Sequence, residues 1–370
     1  MIQRLQVRNF RILEAVDFRP GPRINWFRGQ NGAGKTSLLE ALAVLGRGRS
    51  FRSTRIAGLI RSGESALQVV AHGQFGEGGV EVLGVERGAE SWTGRIAGAA
   101  AIRVSEFARR LPLVVVEPGS HALVDGGPDE RRRYLDWTMF HVEHDYLGHW
   151  RGFVRALRQR NAALRTRQPE HVVRSLDGPL VRHALALDSH RRRLVDSLSS
   201  RVQSVIETVG LRLPSLTLSY RQGWARHQDY AAALDEGWDT DRDRGFTGRG
   251  PQRGDLEIRA DGAPAGGRLS RGQQKLVSLA LLLAQHEILE SALGRPPLLL
   301  LDDPVSELDA DHLDRLMQWV QRGSGQVFVT AVSDPRDLGL EAAVSGVFHV
   351  EHGRVVAADP DAALNPGSGV

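Results

Sequence analysis

The spacing of apolar residues changes twice along the chain, and it predicts three stretches of different character. From Met1 to Phe18, short runs alternate apolar and polar positions, the period of half-buried strands. Ile24-Asn25-Trp26-Phe27 reads as a short buried strand. Ser37 to Leu45 carries Leu38, Leu39, Ala41, Leu42 and Leu45 at helical spacing. Leu67 to Val85, punctuated by Gly73, Gly76, Gly78, Gly79 and Gly84, reads as a β-meander. Leu113 to Val116 reads as another buried strand. Beyond it the period becomes helical: Asp129–Arg167 and Val181–Val209 read as long amphipathic helices. In the second, Leu187, Leu194, Leu198, Val202, Val205 and Val209 keep to one face. Buried-strand patterns return at Leu298 and Val327. Val347–Val350 and Arg354–Ala357 flank Glu351-His352-Gly353 and read as a terminal hairpin. From Asp359 onward, proline, glycine and small residues predict a frayed tail.

At 370 residues the chain exceeds one ordinary core, and two domains are expected. Hydrophobic residues make up 41% and charged residues 25%, the balance of a globular chain and not of a disordered or collagen-like one. The longest apolar run, Leu276 to Leu283, falls well short of the roughly 18–20 residues of a membrane span. The segment Met1-Ile2-Gln3-Arg4 lacks the pattern of an export signal, so a cytoplasmic protein with no membrane partner is expected. Cysteine is absent, which excludes disulfides, thiolate metal sites and a thiol nucleophile. The net charge of +4 permits nucleic-acid binding without requiring it. Nearly all the positive charge is arginine, and lysine occurs only at Lys35 and Lys275.

Lys35 lies in Gly29-Gln30-Asn31-Gly32-Ala33-Gly34-Lys35-Thr36, followed by Ser37. This is a complete G-x-x-x-x-G-K-[ST] phosphate-binding loop between a predicted strand and a predicted helix. Its glycines let backbone N–H groups face a phosphate chain, and the following helix points its positive end at the anion. Lys35 is placed to reach the β- and γ-phosphates, and Thr36 to offer a hydroxyl to Mg²⁺. The chemistry implied is ATP with Mg²⁺. The apolar run Leu298-Leu299-Leu300-Leu301 ends in Asp302-Asp303, where a central parallel strand delivers its ligands. Asp302 is expected to hold the Mg²⁺. Asp303 is expected to orient or deprotonate the attacking water. Lys275 belongs to Leu269-Ser270-Arg271-Gly272-Gln273-Gln274-Lys275, ahead of a strongly apolar helix, with Ser270 as its N-cap.

Taken together, the phosphate loop, the Leu-Ser-Arg-Gly-Gln segment, the apolar strand ending in Asp-Asp and the following Ser306-Glu307-Leu308-Asp309 resemble the ABC-type ATPase heads. The details are most similar to the RecF family of the SMC/Rad50 group. Asn9-Phe10-Arg11, Leu45–Arg52, Gly126-Gly127-Pro128, Arg131–Asp136 and Gln159–Leu164 also match, so the resemblance runs from residue 1 to about 356. It implies an α/β ABC-type head split in sequence, residues 1–115 with 255–358. A mostly helical domain would be inserted at 116–254, with a flexible tail at 359–370 and no long coiled coil. It implies that Arg11 joins the loop residues in holding ATP. It also implies that Ser270, Gly272 and Gln273 meet the nucleotide of a second copy, so that ATP drives a homodimer. The implied activity is a weak DNA-stimulated ATPase that clamps DNA. With RecO and RecR it would help load the RecA recombinase at gapped DNA. Three positions depart from the pattern. Gly250-Pro251-Gln252 stands in place of Gly-Pro-His, Pro118 is followed by Gly119 and not an acid, and no switch histidine follows the strand at 326–331. Thr330 and Ser333 are the candidate substitutes.

Four arginine clusters bear on DNA. Arg151, Arg155, Arg158 and Arg165 form a helical stripe, which reads either as a solvated face or as a line of phosphate contacts. Arg47, Arg49, Arg52 and Arg55 lie just past the loop helix, where they would couple ATP to DNA. Arg131–Arg133 and Arg191–Arg193 cannot present three consecutive side chains on one helix face. Two rival functions, the ATPase subunit of a transporter and a non-hydrolysing nucleotide-dependent scaffold, share the same loop chemistry.

Overall fold

The computed structural model describes residues 1–53, 55–76 and 78–357, and it forms two compact units: 1–119 with 294 onward, and 120–293. The tail expected from 359 lies outside the described residues.

Two six-stranded sheets build the first unit. One is antiparallel and runs, in spatial order, β2 (Leu13–Phe18), β1 (Ile2–Phe10), β4 (Ala66–Gly73), β5 (Glu81–Gly88), β6 (Trp92–Ile96) and β7 (Ala99–Ala101). The meander foreseen at 67–85 therefore continues through two further strands. The other sheet runs β15 (Arg354–Ala357), β14 (Val344–Glu351), β3 (Ile24–Arg28), β13 (Val327–Ala331), β12 (Leu298–Asp302) and β8 (Leu113–Val116). Its strands are parallel except β15, which folds back on β14 as the hairpin foreseen in the sequence. β12 and β13 are buried at every position, as apolar runs in the middle of a parallel sheet should be. The helix Lys35–Arg47 packs Leu38, Leu39, Leu42 and Leu45 into the core formed by the two sheets. Phe27 stacks on Phe348 at 4.9 Å and on Phe328 at 5.7 Å between ring centres, tying three neighbouring parallel strands together.

The second unit is mostly helical. The helix foreseen at 129–167 is two, Pro128–Val142 and Tyr146–Arg165. The break falls at Glu143, whose extended backbone ends the first helix, and at Asp145, which opens the second. The third long helix, Asp177–Val209, starts four residues before its sequence estimate and stops at left-handed Gly210. A small antiparallel sheet of β9 (Leu216–Arg221), β10 (Asp255–Ala260) and β11 (Ala263–Pro264) has β10 in the middle. Residues 255–293, placed with the head by the sequence, cluster here with the helical unit. The reason is the helix Arg271–Leu293, buried along most of its length against the Pro128–Val142 and Asp177–Val209 helices. Tyr134 donates to the Leu281 carbonyl at 2.7 Å and Gln285 donates to Thr138 at 2.6 Å. That helix is long and apolar enough to span a bilayer by composition, but 72% of its most apolar window is buried inside the protein.

The hairpin between β14 and β15 turns at His352 and Gly353, both left-handed, with φ of 47° and 75°. A Cβ on Gly353 would lie 2.3 Å from the Ile12 carbonyl oxygen, so glycine alone lets this turn press against the β1–β2 connection. Gly353→Ala should therefore cost about 1–3 kcal/mol, from positive φ and overlap together. Chemical denaturation should show a lower midpoint with an unchanged slope.

Candidate nucleotide site

β3 ends at Arg28 and the chain leaves it through Gly29. A Cβ there would sit 2.1 Å from the Val350 carbonyl oxygen, so the loop begins where β14 leaves room only for a hydrogen. Gly32 and Gly34 take φ of 81° and 112°, and Gly34 is the N-cap of the Lys35–Arg47 helix. Gln30, Asn31 and Gly32 form the exposed tip, while Gly34, Lys35 and Ser37 are buried. The loop closes on itself through Ala33 N–H to the Gln30 carbonyl at 3.2 Å. The hairpin braces it through Gly353 N–H to the Ala33 carbonyl at 2.9 Å. Lys35 Nζ donates to the carbonyls of Gly29 at 2.6 Å and Gln30 at 3.0 Å. Burial lowers the Lys35 pKa, and the carboxylates of Asp303 and Asp302 act against that shift.

Parallel register places Asp302 beside Thr330, and Thr330 beside Phe27 at the end of β3. The Asp302 carboxylate thus reaches the start of the loop helix. Its Oδ1 accepts from Thr36 at 2.9 Å and from Thr330 at 2.8 Å. Burial raises the Asp302 pKa, and the two hydroxyls, with the charge of Arg52, pull it back. Asp303 is left-handed, φ 51°, and its N–H is held by both Thr330 oxygens, Oγ1 at 3.0 Å and the carbonyl at 3.1 Å. Asp303 Oδ1 is buried with no hydrogen-bond partner.

A hydroxyl, one buried carboxylate and a second carboxylate with an unpartnered oxygen make a donor set of hard oxygens, which fits Mg²⁺. The loop amides and Lys35 fit a polyphosphate.

Of the remaining expected site residues, Arg11 lies in the β1–β2 turn with φ 51°. It pairs with fully buried Glu40 on the loop helix, Nε to Oε2 at 2.6 Å. Ser50 donates to Glu40 Oε1 at 2.5 Å and in turn accepts from the N–H groups of Arg52 and Ser53 at 2.9 Å. Glu40 therefore joins the Arg11 turn to the arginine segment after the helix. Nothing in the sequence distinguished it from an exposed helix glutamate. In the second unit, Ser270 and Gln273 cap the Arg271–Leu293 helix reciprocally, Ser270 N–H to Gln273 Oε1 at 3.0 Å and Gln273 N–H to Ser270 Oγ at 3.3 Å. Ser270 and Gly272 are exposed, and a Cβ on Gly272 would meet nothing. Of the two switch candidates, Thr330 is at the carboxylates, whereas Ser333 uses its carbonyl to accept from Trp26 Nε1 at 3.0 Å.

A phosphate loop at the carboxyl end of β3, facing two acids from β12 two strands away in the same sheet, defines an ABC-type ATPase head, and comparison narrows this class. The model of the RecF/RecN/SMC N terminal domain matches residues 1–355. Two DNA replication and repair proteins RecF, from Thioalkalivibrio sulfidiphilus and Xanthomonas axonopodis pv. citri, are 41% and 38% identical over 97% and 96% of this chain and 100% and 98% of their own. The chain belongs to the RecF family. Among solved structures, that of the recombination mediator protein RecF-ATP in the RecFOR pathway superposes with a TM-score of 0.88 at 22% identity over 97% of both chains. An Smc head domain from Pyrococcus furiosus gives 0.58 at 17% identity, over 97% of this chain and 96% of its own.

A raised carboxyl pKa has a stability signature of known sign. The folded chain binds the Asp302 proton more tightly than the unfolded chain, so stability falls as pH rises from the unfolded carboxylate value near ~4 through the folded pKa. Asp302→Asn keeps an oxygen for both threonines and removes the buried charge. It should melt at a higher temperature than the parent at pH 7, with the gain shrinking as pH is lowered toward about 4.

Proposed function

We infer that this protein is an ATP-gated DNA-binding clamp of recombination repair. The observation that carries the reading is the buried, unpartnered Asp303 Oδ1 beside the Asp302–Thr36 hydrogen bond, a carboxylate pair poised at the phosphate loop. Gly29 to Ser37 bind the nucleotide, with Lys35 on the β- and γ-phosphates and Arg11 at the loop's edge. Thr36 and Asp302 would hold Mg²⁺. When bound, that ion neutralises charge developing on the transferred phosphoryl group. Asp303 orients the water and takes its proton. Hydrolysis is slow and DNA-stimulated, so the protein acts as a switch.

Ser270, Gly272 and Gln273 serve a second copy. A capped helix start with open space at Gly272 is an anion-seeking surface, and it receives the γ-phosphate carried by the other chain. ATP supplies that bridging group and ADP does not, so ATP favours an isologous homodimer and hydrolysis releases it. DNA is the substrate surface, RecR and RecO are the protein partners, and loading of RecA at gapped DNA in the cytoplasm is the outcome. Full-length similarity to RecF proteins weighs against the transporter reading.

Ser270→Arg should retain ATP binding by the monomer and lose ATP-dependent dimerisation and hydrolysis together. Asp303→Asn should keep ATP binding and dimerisation but release phosphate at least about 10-fold more slowly, as loss of a residue that orients or deprotonates the attacking water should. Light scattering with ATP or ADP, alongside phosphate release, checks both. A Ser270→Arg variant that dimerises like the parent contradicts the shared site.

Among the arginines, Arg155, Arg158 and Arg165 are exposed on the Tyr146–Arg165 helix and Arg151 is half-buried. Arg47 donates to the Leu113 carbonyl at 2.9 Å, and Arg49, Arg52 and Arg55 are the exposed members of its cluster. Arg131 and Arg191 serve their own unit, bound to Asp255 and Asp136 respectively. Replacing Arg151, Arg155 and Arg158 with glutamate should weaken DNA binding equally for unrelated sequences. It should also reduce the salt slope by about one for each phosphate that the protein no longer neutralises. Fluorescence anisotropy at several salt concentrations measures it, and an unchanged slope moves the DNA surface to the Arg47–Arg55 cluster.

A further inference from the structure

Buried Glu40 ties together two segments that the proposed chemistry leaves apart. The first is the β1–β2 turn, where Asn9 and Arg11 both take left-handed backbone, with φ of 54° and 51°. A bulky residue is strained in that region, and the strain persists only where surrounding contacts hold it in place. Glu40, fully buried on the loop helix, supplies those contacts. Arg11 Nη2 donates to Glu40 Oε1 at 2.9 Å, and Nε stands 2.6 Å from Oε2. The Arg11 side chain stays 28% exposed, so the outer edge of its guanidinium faces solvent.

The second segment follows the loop helix and carries the exposed Arg52 and Arg55. Ser50 fastens its near end. This buried serine donates to Glu40 Oε1 and accepts from the N–H groups of Arg52 and Ser53. The Arg11 turn fastens its far end. Arg11 N–H donates to the Leu59 carbonyl at 2.7 Å, Arg61 N–H donates to the Asn9 carbonyl at 2.9 Å, and Phe10 forms a β-bridge with Ile60. Both ends of the arginine segment are thus bonded, directly or through Glu40, to the one turn that carries Arg11. The segment also stands within electrostatic reach of the metal-holding acid, since the Arg52 charge lowers the Asp302 pKa against the effect of burial.

We propose that Glu40 and Ser50 are positioning residues that carry the DNA signal to the nucleotide site, from the arginine segment at 50–59 to Arg11 at the phosphate loop. This deepens the clamp reading and rests on it. DNA phosphates draw on Arg52 and Arg55, the exposed side chains of the segment. A nucleotide phosphate draws on the exposed edge of Arg11. Glu40 lies between the two and has no water to turn to, so neither group can shift without the other unless the buried carboxylate loses a partner, which is costly. Engaging DNA therefore settles Arg11 against the nucleotide and Arg52 beside Asp302. Glu40 and Ser50 touch neither ligand. An ion pair that only held the fold together would support both binding sites without linking them.

The test compares the full chain with Ser50→Ala and Glu40→Gln, each checked for folding by circular dichroism. Phosphate release is measured with and without a duplex that contains a single-stranded gap. Anisotropy of the labelled duplex gives DNA affinity in the presence of ATP, a fluorescent ATP analogue gives nucleotide affinity, and light scattering gives ATP-dependent dimerisation. Ser50→Ala keeps the Arg11–Glu40 pair and removes only the hydroxyl that joins it to the segment. It should bind ATP and DNA and dimerise like the parent, and release phosphate without DNA at the parent's rate, yet lose the stimulation by DNA. Glu40→Gln should lose the stimulation too, and bind ATP more weakly because it also unseats Arg11. If Glu40→Gln does not fold, Ser50→Ala decides alone. A parent whose phosphate release ignores DNA overturns the clamp reading, and the coupling with it. A parent that responds, with Ser50→Ala responding as strongly, overturns the coupling alone. So does a Ser50→Ala variant that loses affinity for DNA or ATP, because Ser50 then serves only the fold.

Discussion

Asp302 Oδ1 receives a hydrogen bond from Thr36 on the loop helix and another from Thr330 on the adjacent strand. A carboxylate this deeply buried is costly unless its oxygens are satisfied. The two hydroxyls meet that need, and they also fix three elements relative to one another. Thr330 extends the link by holding the N–H of Asp303, whose left-handed backbone aims the second carboxylate. The register between β12 and β13 therefore determines where both acids stand, and the packing of Phe27 between Phe348 and Phe328 fixes β3 in the same frame.

Much of this was legible in the chain because the chemistry demands particular residues at particular spacings. A phosphate loop needs its glycines, and the structure shows why at Gly29, where only hydrogen clears the Val350 carbonyl. The Leu298–Leu301 run and the 353 hairpin also declared themselves, one by continuous apolarity and one by turn residues. Three features did not. Glu40 looks like any helix glutamate, and only the tertiary fold buries it between Arg11 and Ser50. The interruption at Glu143–Asp145 carries no proline or glycine, so helical periodicity ran through it. Arg160, between Arg158 and Arg165 in sequence but on the opposite face of their helix, is fully buried between Asp177 and Asp241.

Arginine usage in the helical unit follows from the same physics. Planar guanidinium groups satisfy several acceptors at once. Arg131 grips both oxygens of Asp255, and Arg191 joins Asp136, the Tyr146 hydroxyl and the Pro251 carbonyl. Charges used this way order the unit and are withdrawn from its surface, so the positive composition overstates what is offered to a polyanion. The arginines left exposed on the Tyr146–Arg165 helix are the ones whose neighbours demand nothing of them.

In the proposed mechanism Thr330 and Asp302 form a unit that positions the two carboxylates and contributes little to holding ATP. Thr330→Val preserves shape and strand propensity while deleting the hydroxyl that serves Asp302 and the Asp303 N–H. Measured side by side, ATP affinity should change no more than a few-fold, while phosphate release should fall at least about 10-fold, a loss of roughly 1.4 kcal/mol or more in transition-state stabilisation. Phosphate release equal to the parent's, or ATP affinity falling in step with it, would contradict the account.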